Sequence, residues 1–287
     1  MRIIVSIHAL KRLILFGNLI LLWNPFCAIC SSSNNQKMTD NTTVSYKNHT
    51  AVQSKMYPDS FRNLKNNELV ILLHGFNRTK RDMSTLEKFF RSQGYHVVTP
   101  DIPILFSSLE GCTKKFEDEF NSIRNKYDRV HFVGHSFGGL IIRLFLSRNH
   151  VPNLGRCVLI ATPNNGTELA AIMARYCKPF TFIFKPYQSI QPGSIEIPPP
   201  ANNPAPEMGA IAGNKNTLFL GRFMKGENDS RVPVDSVSFE GMKELIVLPY
   251  HHEEIHHCRE TAELVLRFIQ EGTFGLSQKN MENNKNK

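Results

Sequence analysis

The middle of the chain alternates short, mostly apolar runs with longer stretches in which apolar residues recur every three or four positions. Uninterrupted apolar runs are typical of strands buried on both faces of a parallel sheet, and the longer spacing is typical of amphipathic helices. Strands are predicted at 69–73, 96–100, 130–133, 157–161, 218–220 and 245–248, and helices at 81–93, 114–127, 140–147 and 258–270. This alternation predicts an α/β fold with a mostly parallel central sheet and helices on both faces.

The alternation is interrupted after the fourth predicted strand. The first part of the segment 162–215 is apolar, and the second part is rich in proline, including Pro198, Pro199 and Pro200. Irregular segments of this length inside a compact domain are usually functional, as lids or binding loops are. We therefore predict a lid or cap insert over 162–215, the alternative being a packed excursion that covers one edge of the sheet.

The first 30 residues have the composition of an export signal. Lys11 and Arg12 are followed by an apolar block over 13–22, then by Pro25 and small side chains. The block is a poor match to the roughly 20 apolar residues that a membrane-spanning helix needs. We predict a signal peptide over 1–30, with an uncleaved membrane anchor as the alternative, in a protein that is secreted, periplasmic or membrane-associated.

The net charge of +9 lies mainly outside the middle of the chain. Residues 66–272, the predicted folded domain, contain 23 Lys and Arg against 22 Asp and Glu. The polar segments 31–65 and 273–287 are predicted to be a flexible linker and a disordered tail. A nucleic-acid-binding face is therefore not predicted, although the basic ends could contact an anionic membrane surface.

Four cysteines follow the predicted signal. Export to an oxidising compartment would allow them up to two disulfides, without establishing any pairing. Cys157 opens a predicted strand and fits the role of a small buried apolar residue. The four are Cys112, Cys157, Cys177 and Cys258.

One pentapeptide lies between a predicted strand and a predicted helix. Gly134-His135-Ser136-Phe137-Gly138 matches the pattern Gly-x-Ser-x-Gly, in which a sharp strand-to-helix turn exposes the serine hydroxyl. Gly134 and Gly138 would allow the strand and the helix to approach closely. The sequence predicts Ser136 as a nucleophile, the alternative being an ordinary glycine-rich turn.

A serine nucleophile needs a base within hydrogen-bond reach and a third group that orients the base. With this type of turn the acid follows a late strand and the histidine follows the last one. The loop after 218–220 offers Asp229, which is preferred, and the competing carboxylates Glu227 and Asp235. The loop after 245–248 offers His251 and His252 as the base.

The same chemistry requires two N–H groups that stabilise the oxyanion of the tetrahedral intermediate. One is expected from Phe137, directly after the nucleophile, and the other from Phe76, in the loop after the first predicted strand. The backbone supplies these donors, so the identity of either side chain is secondary.

A competing motif overlaps the candidate base. His252-Glu253-Glu254-Ile255-His256 matches His-Glu-x-x-His, which on a helix places two zinc ligands on one face with a glutamate as general base. No third ligand is evident, and Pro249 indicates a loop rather than the middle of a helix at His252. A zinc-dependent hydrolase therefore stays an alternative, and no metal or other cofactor is predicted for the preferred mechanism.

From residue 69 to residue 269 the chain resembles the α/β-hydrolase superfamily, and within it the bacterial triacylglycerol lipase and esterase group. This resemblance implies a Ser-His-Asp triad of Ser136, His252 and Asp229, and favours these over His251 and Asp235. Asn164 and Thr167 depart from the family, in which His and Ser are frequent. The matching segments are Leu73-His74-Gly75-Phe76, the pentapeptide with Gly139, Ala161–Thr167, Asn228–Pro233, and His252 ahead of a final helix.

The sequence thus predicts a serine hydrolase that cleaves carboxylic esters, with a lipid or another small ester as substrate. The lipid preference comes from the apolar front of the insert, which includes Phe180, Phe182 and Phe184. Two alternatives use the same fold: an acyltransferase with the same triad, and a catalytically silent lipid-binding protein. The oligomeric state is left open.

Overall fold

The computed structural model describes residues 67–176, 183–217 and 219–275, all within the compact unit Arg62–Lys287. The predicted signal, the predicted linker, Cys177 and most of the predicted tail lie outside the described residues. Within the described part of the chain, no helix is both long and apolar enough to cross a membrane. Cys112, Cys157 and Cys258 are free thiols.

Six strands of the described chain form one fully parallel sheet. The strands are β1 Glu68–Leu73, β2 His96–Val98, β3 Arg129–His135, β4 Leu154–Ile160, β5 Met208–Gly213 and β6 Glu244–Leu248. Their order in the sheet is β2-β1-β3-β4-β5-β6, so that successive strands are added on one side of β1 first and then, from β3 onwards, on its other side. In open parallel sheets, ligand sites form at the carboxyl ends of the strands next to such a reversal.

Helices cover both faces of the sheet, as the sequence pattern predicts. The helices are α1 Ser84–Ser92, α2 Leu109–Asn121, α3 Phe137–Arg148, α4 Glu168–Tyr176, α5 Pro186–Ser189, α6 Val234–Val237 and α7 Arg259–Glu271. Alternate residues of β1 face opposite sides: Ile71 packs with the apolar cluster of α2 and α3, and Leu72 packs with that of α1 and α7. Short 3-10 turns span Lys80–Met83, Phe219–Phe223 and Ile255–His257.

The fifth strand is not where the apolar pattern predicts it. Residues Phe219–Phe223 form a 3-10 turn, so the predicted strand at 218–220 is wrong, and the strand lies instead at Met208–Gly213. Four of the six residues of this strand are Gly or Ala, and α7 packs closely on it at Gly209, where a Cβ would lie 2.7 Å from the ring of Phe268. Gly and Ala carry little apolar signal, and the predicted insert over 162–215 therefore extended through an interior strand of the sheet.

The segment between β4 and β5 holds α4, α5 and a proline-rich stretch without regular structure. The proline-rich stretch is attached to the end of α3: Ala201 donates its N–H to the carbonyl of Leu146 at 2.8 Å. Asn202 exchanges two hydrogen bonds with the backbone of Val151, at 2.8 and 3.1 Å. This part of the predicted lid is a packed cover, and a lid function stays a prediction for the part around α4 and α5.

Two helices begin earlier than predicted. The hydroxyl of Ser108 accepts the N–H of Gly111 at 3.2 Å and so caps α2 at Leu109, five residues before the predicted start. Helix α3 begins at Phe137, directly after the candidate nucleophile, rather than at Leu140. The second difference matters for the site, because it places Ser136 at the N-terminus of a helix.

Candidate active site

Ser136 occupies a strained turn between β3 and α3. Its backbone has φ 53° and ψ −123°, a conformation that side-chain-bearing residues rarely adopt and that costs about 1–3 kcal/mol. Neighbouring glycines make the turn possible: a Cβ at Gly138 would lie 2.4 Å from the carbonyl oxygen of Leu73, and one at Gly134 would lie 2.6 Å from the nitrogen of Gly139. The pentapeptide thus forms the tight strand-to-helix turn that the sequence predicts.

Three side chains from distant segments form one hydrogen-bonded chain. The Oγ of Ser136 lies 2.9 Å from Nε2 of His252, and Nδ1 of His252 lies 2.7 Å from Oδ2 of Asp229. The N–H of His252 also donates to the carbonyl of Asp229 at 2.9 Å. His252 and Asp229 are therefore joined through both backbone and side chain.

The loop of Asp229 fixes the orientation of its carboxylate. Oδ1 accepts the N–H of Arg231 at 2.9 Å and that of Val232 at 2.7 Å, which leaves Oδ2 for His252. The side chain is only 1% exposed. Thr167, one of the departures from the family pattern, donates its hydroxyl to the carbonyl of Arg231 at 2.7 Å and so attaches this loop to the start of α4.

The competing candidates lie elsewhere. Asp235 is exposed on α6, and its backbone carbonyl accepts a hydrogen bond from Asn165. His251 turns away from Ser136 and pairs with Glu254, with 3.3 Å between Nε2 and the carboxylate. The structure therefore brings Asp229 and His252 to Ser136, and it does not bring Asp235 or His251.

The loop after β1 lies against the nucleophile. A Cβ at Gly75 would lie 3.0 Å from the Cβ of Ser136, and Phe76 follows directly. Phe137 is the first residue of α3, where an N–H group has no acceptor within the helix. His74 is fully buried and bonds through Nδ1 to the carbonyl of Gly75 at 3.0 Å, which braces the loop. Phe76 and Phe137 are thus both next to Ser136, and their role in an oxyanion hole stays a prediction.

The comparisons with known proteins concern the fold of the chain. Residues 68–182 match the family model described as the alpha/beta hydrolase fold. The fold of this chain is therefore the alpha/beta hydrolase fold. No protein of curated function matches the sequence.

Two solved structures share the fold at low sequence identity. A Bacillus licheniformis lipase in its mature form is 18% identical, with a TM-score of 0.61 over 72% of this chain and 92% of that one. A Legionella pneumophila phospholipase is 16% identical, with a TM-score of 0.54 over 75% of this chain and 63% of that one. At this identity the likeness concerns the fold.

Aromatic side chains cluster around Phe76 in the loop after β1. The ring of Phe76 packs edge-to-face on those of Tyr187 and Phe184, with ring centroids 5.1 and 6.1 Å apart. Phe184 in turn stacks on Phe106 at 5.8 Å. Phe106 is 58% exposed, an unusual exposure for a phenylalanine. We call Phe76, Phe106, Phe184 and Tyr187 the aromatic wall.

The competing zinc motif is not formed. Residues His252 to Glu254 lie in a turn, His256 lies in a 3-10 turn, and α7 begins only at Arg259, so the two histidines do not share a helix face. Both ring nitrogens of His252 already bond to Ser136 and Asp229. Glu253 forms ion pairs with Arg231 and Arg78. Burial would raise the pKa of the Glu253 carboxyl, but these two guanidinium groups hold it below its usual value.

His256 belongs to a different cluster, which the sequence pattern does not reveal. One donor atom each from Asp82, His256 and His257 lies within 4.8 Å of the others, a set that fits a divalent cation by type and spacing. Two features disfavour a metal here. Nε of Arg78 lies 4.0 Å from Asp82, and a metal on Nε2 of His256 would move its proton to Nδ1, which has no acceptor among the described residues.

Both histidines of the cluster direct Nε2 at the carboxylate of Asp82 instead. Nε2 of His256 donates to Oδ2 of Asp82 at 2.9 Å, and Nε2 of His257 lies 3.5 Å from Oδ1. Burial lowers the pKa of His256 to about 4, so its ring is neutral at neutral pH even beside a carboxylate. Burial would raise the pKa of Asp82, but the two histidines hold it well below its usual range. Asp82, far away in sequence, is a residue that no motif singled out.

Buried neutral histidines should make the fold sensitive to acid. Burial lowers the pKa of His74, His131, His135 and His256 below 6.5, whereas the unfolded chain binds protons at these positions near pH 6.5. Their contribution to the free energy of unfolding is therefore complete above about pH 7 and is lost as the pH falls. We expect the urea midpoint of unfolding to fall steadily between about pH 7.5 and 5. A midpoint independent of pH over this interval would contradict the assignment of neutral buried rings.

Proposed function

We propose that this protein is a serine hydrolase that cleaves carboxylic esters with Ser136 as nucleophile, His252 as base and Asp229 as orienting acid. The continuous hydrogen-bonded chain from Ser136 Oγ to the Asp229 carboxylate, at 2.9 and 2.7 Å, carries this proposal. Such a chain at a strained strand-to-helix turn is the arrangement that activates a serine hydroxyl.

The proposed reaction has two halves. Ser136 Oγ attacks the acyl carbonyl carbon while its proton moves to Nε2 of His252, and Asp229 stabilises the resulting imidazolium. The N–H groups of Phe76 and Phe137 stabilise the oxyanion. The intermediate collapses when the alkoxy group leaves with the proton from His252. Water then attacks the acyl-enzyme with His252 again as base, which releases the carboxylic acid and restores the serine.

Covalent labelling tests this proposal directly. A fluorophosphonate should form an adduct on Ser136, located by mass spectrometry, because it reacts only with an activated serine. Ser147, which bonds to the carbonyl of Leu144 on the same α3, should stay unmodified and is the internal control. A chelator should leave both labelling and ester hydrolysis unchanged. An unlabelled Ser136 in folded protein would favour the catalytically silent alternative.

Lipid esters are the proposed substrates. The aromatic wall places apolar rings beside the predicted oxyanion loop, where an acyl chain could lie, and the lipase and phospholipase that share the fold support the same class. An acyltransferase would use the same residues with another acceptor. It would be recognised by transfer of the acyl group to an added alcohol in preference to water.

A series of acyl-chain lengths tests the lipid preference. Replacing the exposed Phe106 by serine should lower kcat/KM about tenfold for long-chain esters, because apolar contact of this size contributes about 1–2 kcal/mol. Hydrolysis of short soluble esters should change by less than about twofold. Phe219→Ser removes an equally exposed phenylalanine outside the wall and is the control. Equal losses on short and long chains, or no loss on either, would contradict a role of the wall in acyl binding.

A further inference from the structure

Two buried histidines lie directly behind the candidate base. The ring of His135 stacks on that of His256 with centroids 3.7 Å apart and planes 22° apart, and it lies 4.9 Å from the ring of His252. His135 is 2% exposed and His256 fully buried. Neither residue contacts the hydroxyl of Ser136 or the carboxylate of Asp229 in the hydrogen-bonded chain, so the proposed reaction does not account for them.

We propose that His135, supported by the pair Asp82–His256, is a positioning residue that holds the base His252 in register with Ser136. This inference rests on the proposed function, because it assigns a role relative to that base. It explains why three titratable side chains from three separate segments are gathered behind the base.

The backbone of His252 is held from both sides. Its N–H donates to the carbonyl of Asp229 at 2.9 Å, and its own carbonyl accepts from Nε2 of His135 at 3.1 Å. His135 is the last residue of β3 and precedes the nucleophile. One side chain thus ties the peptide of the base to the strand that carries Ser136. A shift of the loop that carries His252 would therefore have to break this bond as well as the 2.9 Å contact between Nε2 and Oγ.

The same loop is held a second time, four residues later. His256 donates from Nε2 to Asp82, which lies in the 3-10 turn Lys80–Met83 ahead of α1. That bond fixes the ring of His256 in its plane, and the fixed ring packs flat against His135. The orientation of the His135 ring, and with it the direction of its Nε2–H, is therefore set from behind by Asp82 through His256.

The stacked rings of His135 and His256 are neutral, which suits a base that becomes cationic in each turnover. Burial lowers the pKa of both stacked rings, so they stay neutral and do not repel the imidazolium that His252 becomes. Asp82 places its negative charge on the far side of the stack, and Arg78 and His257 also contact it. Positioning is thus achieved without a second cation beside the base.

Kinetics of three variants test the proposal. His135→Phe keeps a flat ring for the stack and removes the donor; we expect kcat for ester hydrolysis to fall about 10- to 100-fold with KM within about twofold. His135→Gln offers an amide donor near the position of Nε2 and should recover kcat to within about threefold of the parent. His251→Gln removes a neighbouring histidine that pairs with Glu254 outside the stack, and is the matched control with kcat unchanged.

A spectroscopic measurement separates positioning from a general loss of structure. The proton between Nδ1 of His252 and Asp229 should give a far-downfield resonance in the parent that broadens or disappears in His135→Phe at unchanged thermal midpoint. Asp82→Ala removes the acceptor of His256 and should have the same effect on the resonance. Asp82→Asn keeps an acceptor oxygen and should have a smaller effect. If His135→Phe does not fold, the two Asp82 variants decide.

Failure of this inference can be told apart from failure of the proposed function. A parent protein that neither hydrolyses esters nor reacts with a fluorophosphonate would refute the hydrolase, while the downfield resonance would still report whether His135 and Asp82 hold His252. An active parent whose His135→Phe and Asp82→Ala variants keep both kcat and the resonance would overturn the positioning role. Equal kcat values in His135→Gln and His135→Phe would overturn the role of the hydrogen-bond donor.

Discussion

Replacing Ser136 by alanine should reduce ester hydrolysis by about 10⁴- to 10⁶-fold, because the reaction then lacks the attacking oxygen and the proton that His252 accepts. The loss should appear in kcat, since the oxyanion donors and the aromatic wall are unchanged. Stability should hardly change, because alanine keeps the Cβ and therefore the same backbone strain at φ 53°. Initial rates and the thermal midpoint of the purified variant measure both expectations.

The matched control is Ser147→Ala on the same helix. Ser147 donates its hydroxyl to the carbonyl of Leu144, so its loss removes an ordinary helix-surface hydrogen bond and should leave the rate unchanged. Retention of more than about a tenth of the activity by Ser136→Ala would contradict the nucleophile assignment. Equal losses in both variants would point to a defect of α3 rather than to missing chemistry.

The strands of the sheet could be predicted where they consist of large apolar side chains. The run at 69–73 is buried on both faces, and it forms β1 as predicted. Met208–Gly213 gives a weaker signal, because four of its six residues are Gly or Ala and the packing of Phe268 leaves room only for hydrogen at Gly209. An apolar pattern reports large side chains, so it misses a strand in which a closely packed helix favours small ones.

The candidate site, too, could be predicted from the sequence only in part. The turn at Ser136 could be predicted because strand, glycines and helix are all local in sequence. The choice of His252 over His251 rested on resemblance alone, since adjacent residues in a loop differ only in the direction of their side chains. Asp82 and His135 were not predicted as members of the site, because their contacts join segments up to 174 residues apart and no local spacing encodes them.

The choice of Asp229 as the acid makes a prediction that depends on its two loop hydrogen bonds. Oδ1 already accepts the N–H groups of Arg231 and Val232. In Asp229→Asn the single amide oxygen will take this position, and the NH₂ group must then face Nδ1 of His252. An NH₂ group at that place requires a lone pair on Nδ1, which moves the ring proton to Nε2, where the base must accept the proton of Ser136.

Asp229→Asn should therefore lower kcat about 10³- to 10⁴-fold while conserving the fold, as expected of a base held in the wrong tautomer. Asp235→Asn is the matched control. It removes the competing carboxylate, which is exposed on α6, and it should leave the rate unchanged. Both neutral tautomers of the ring carry one proton, so raising the pH over the working range of the parent should not restore the activity of Asp229→Asn. A large loss in Asp235→Asn, with full activity in Asp229→Asn, would reverse the assignment of the acid.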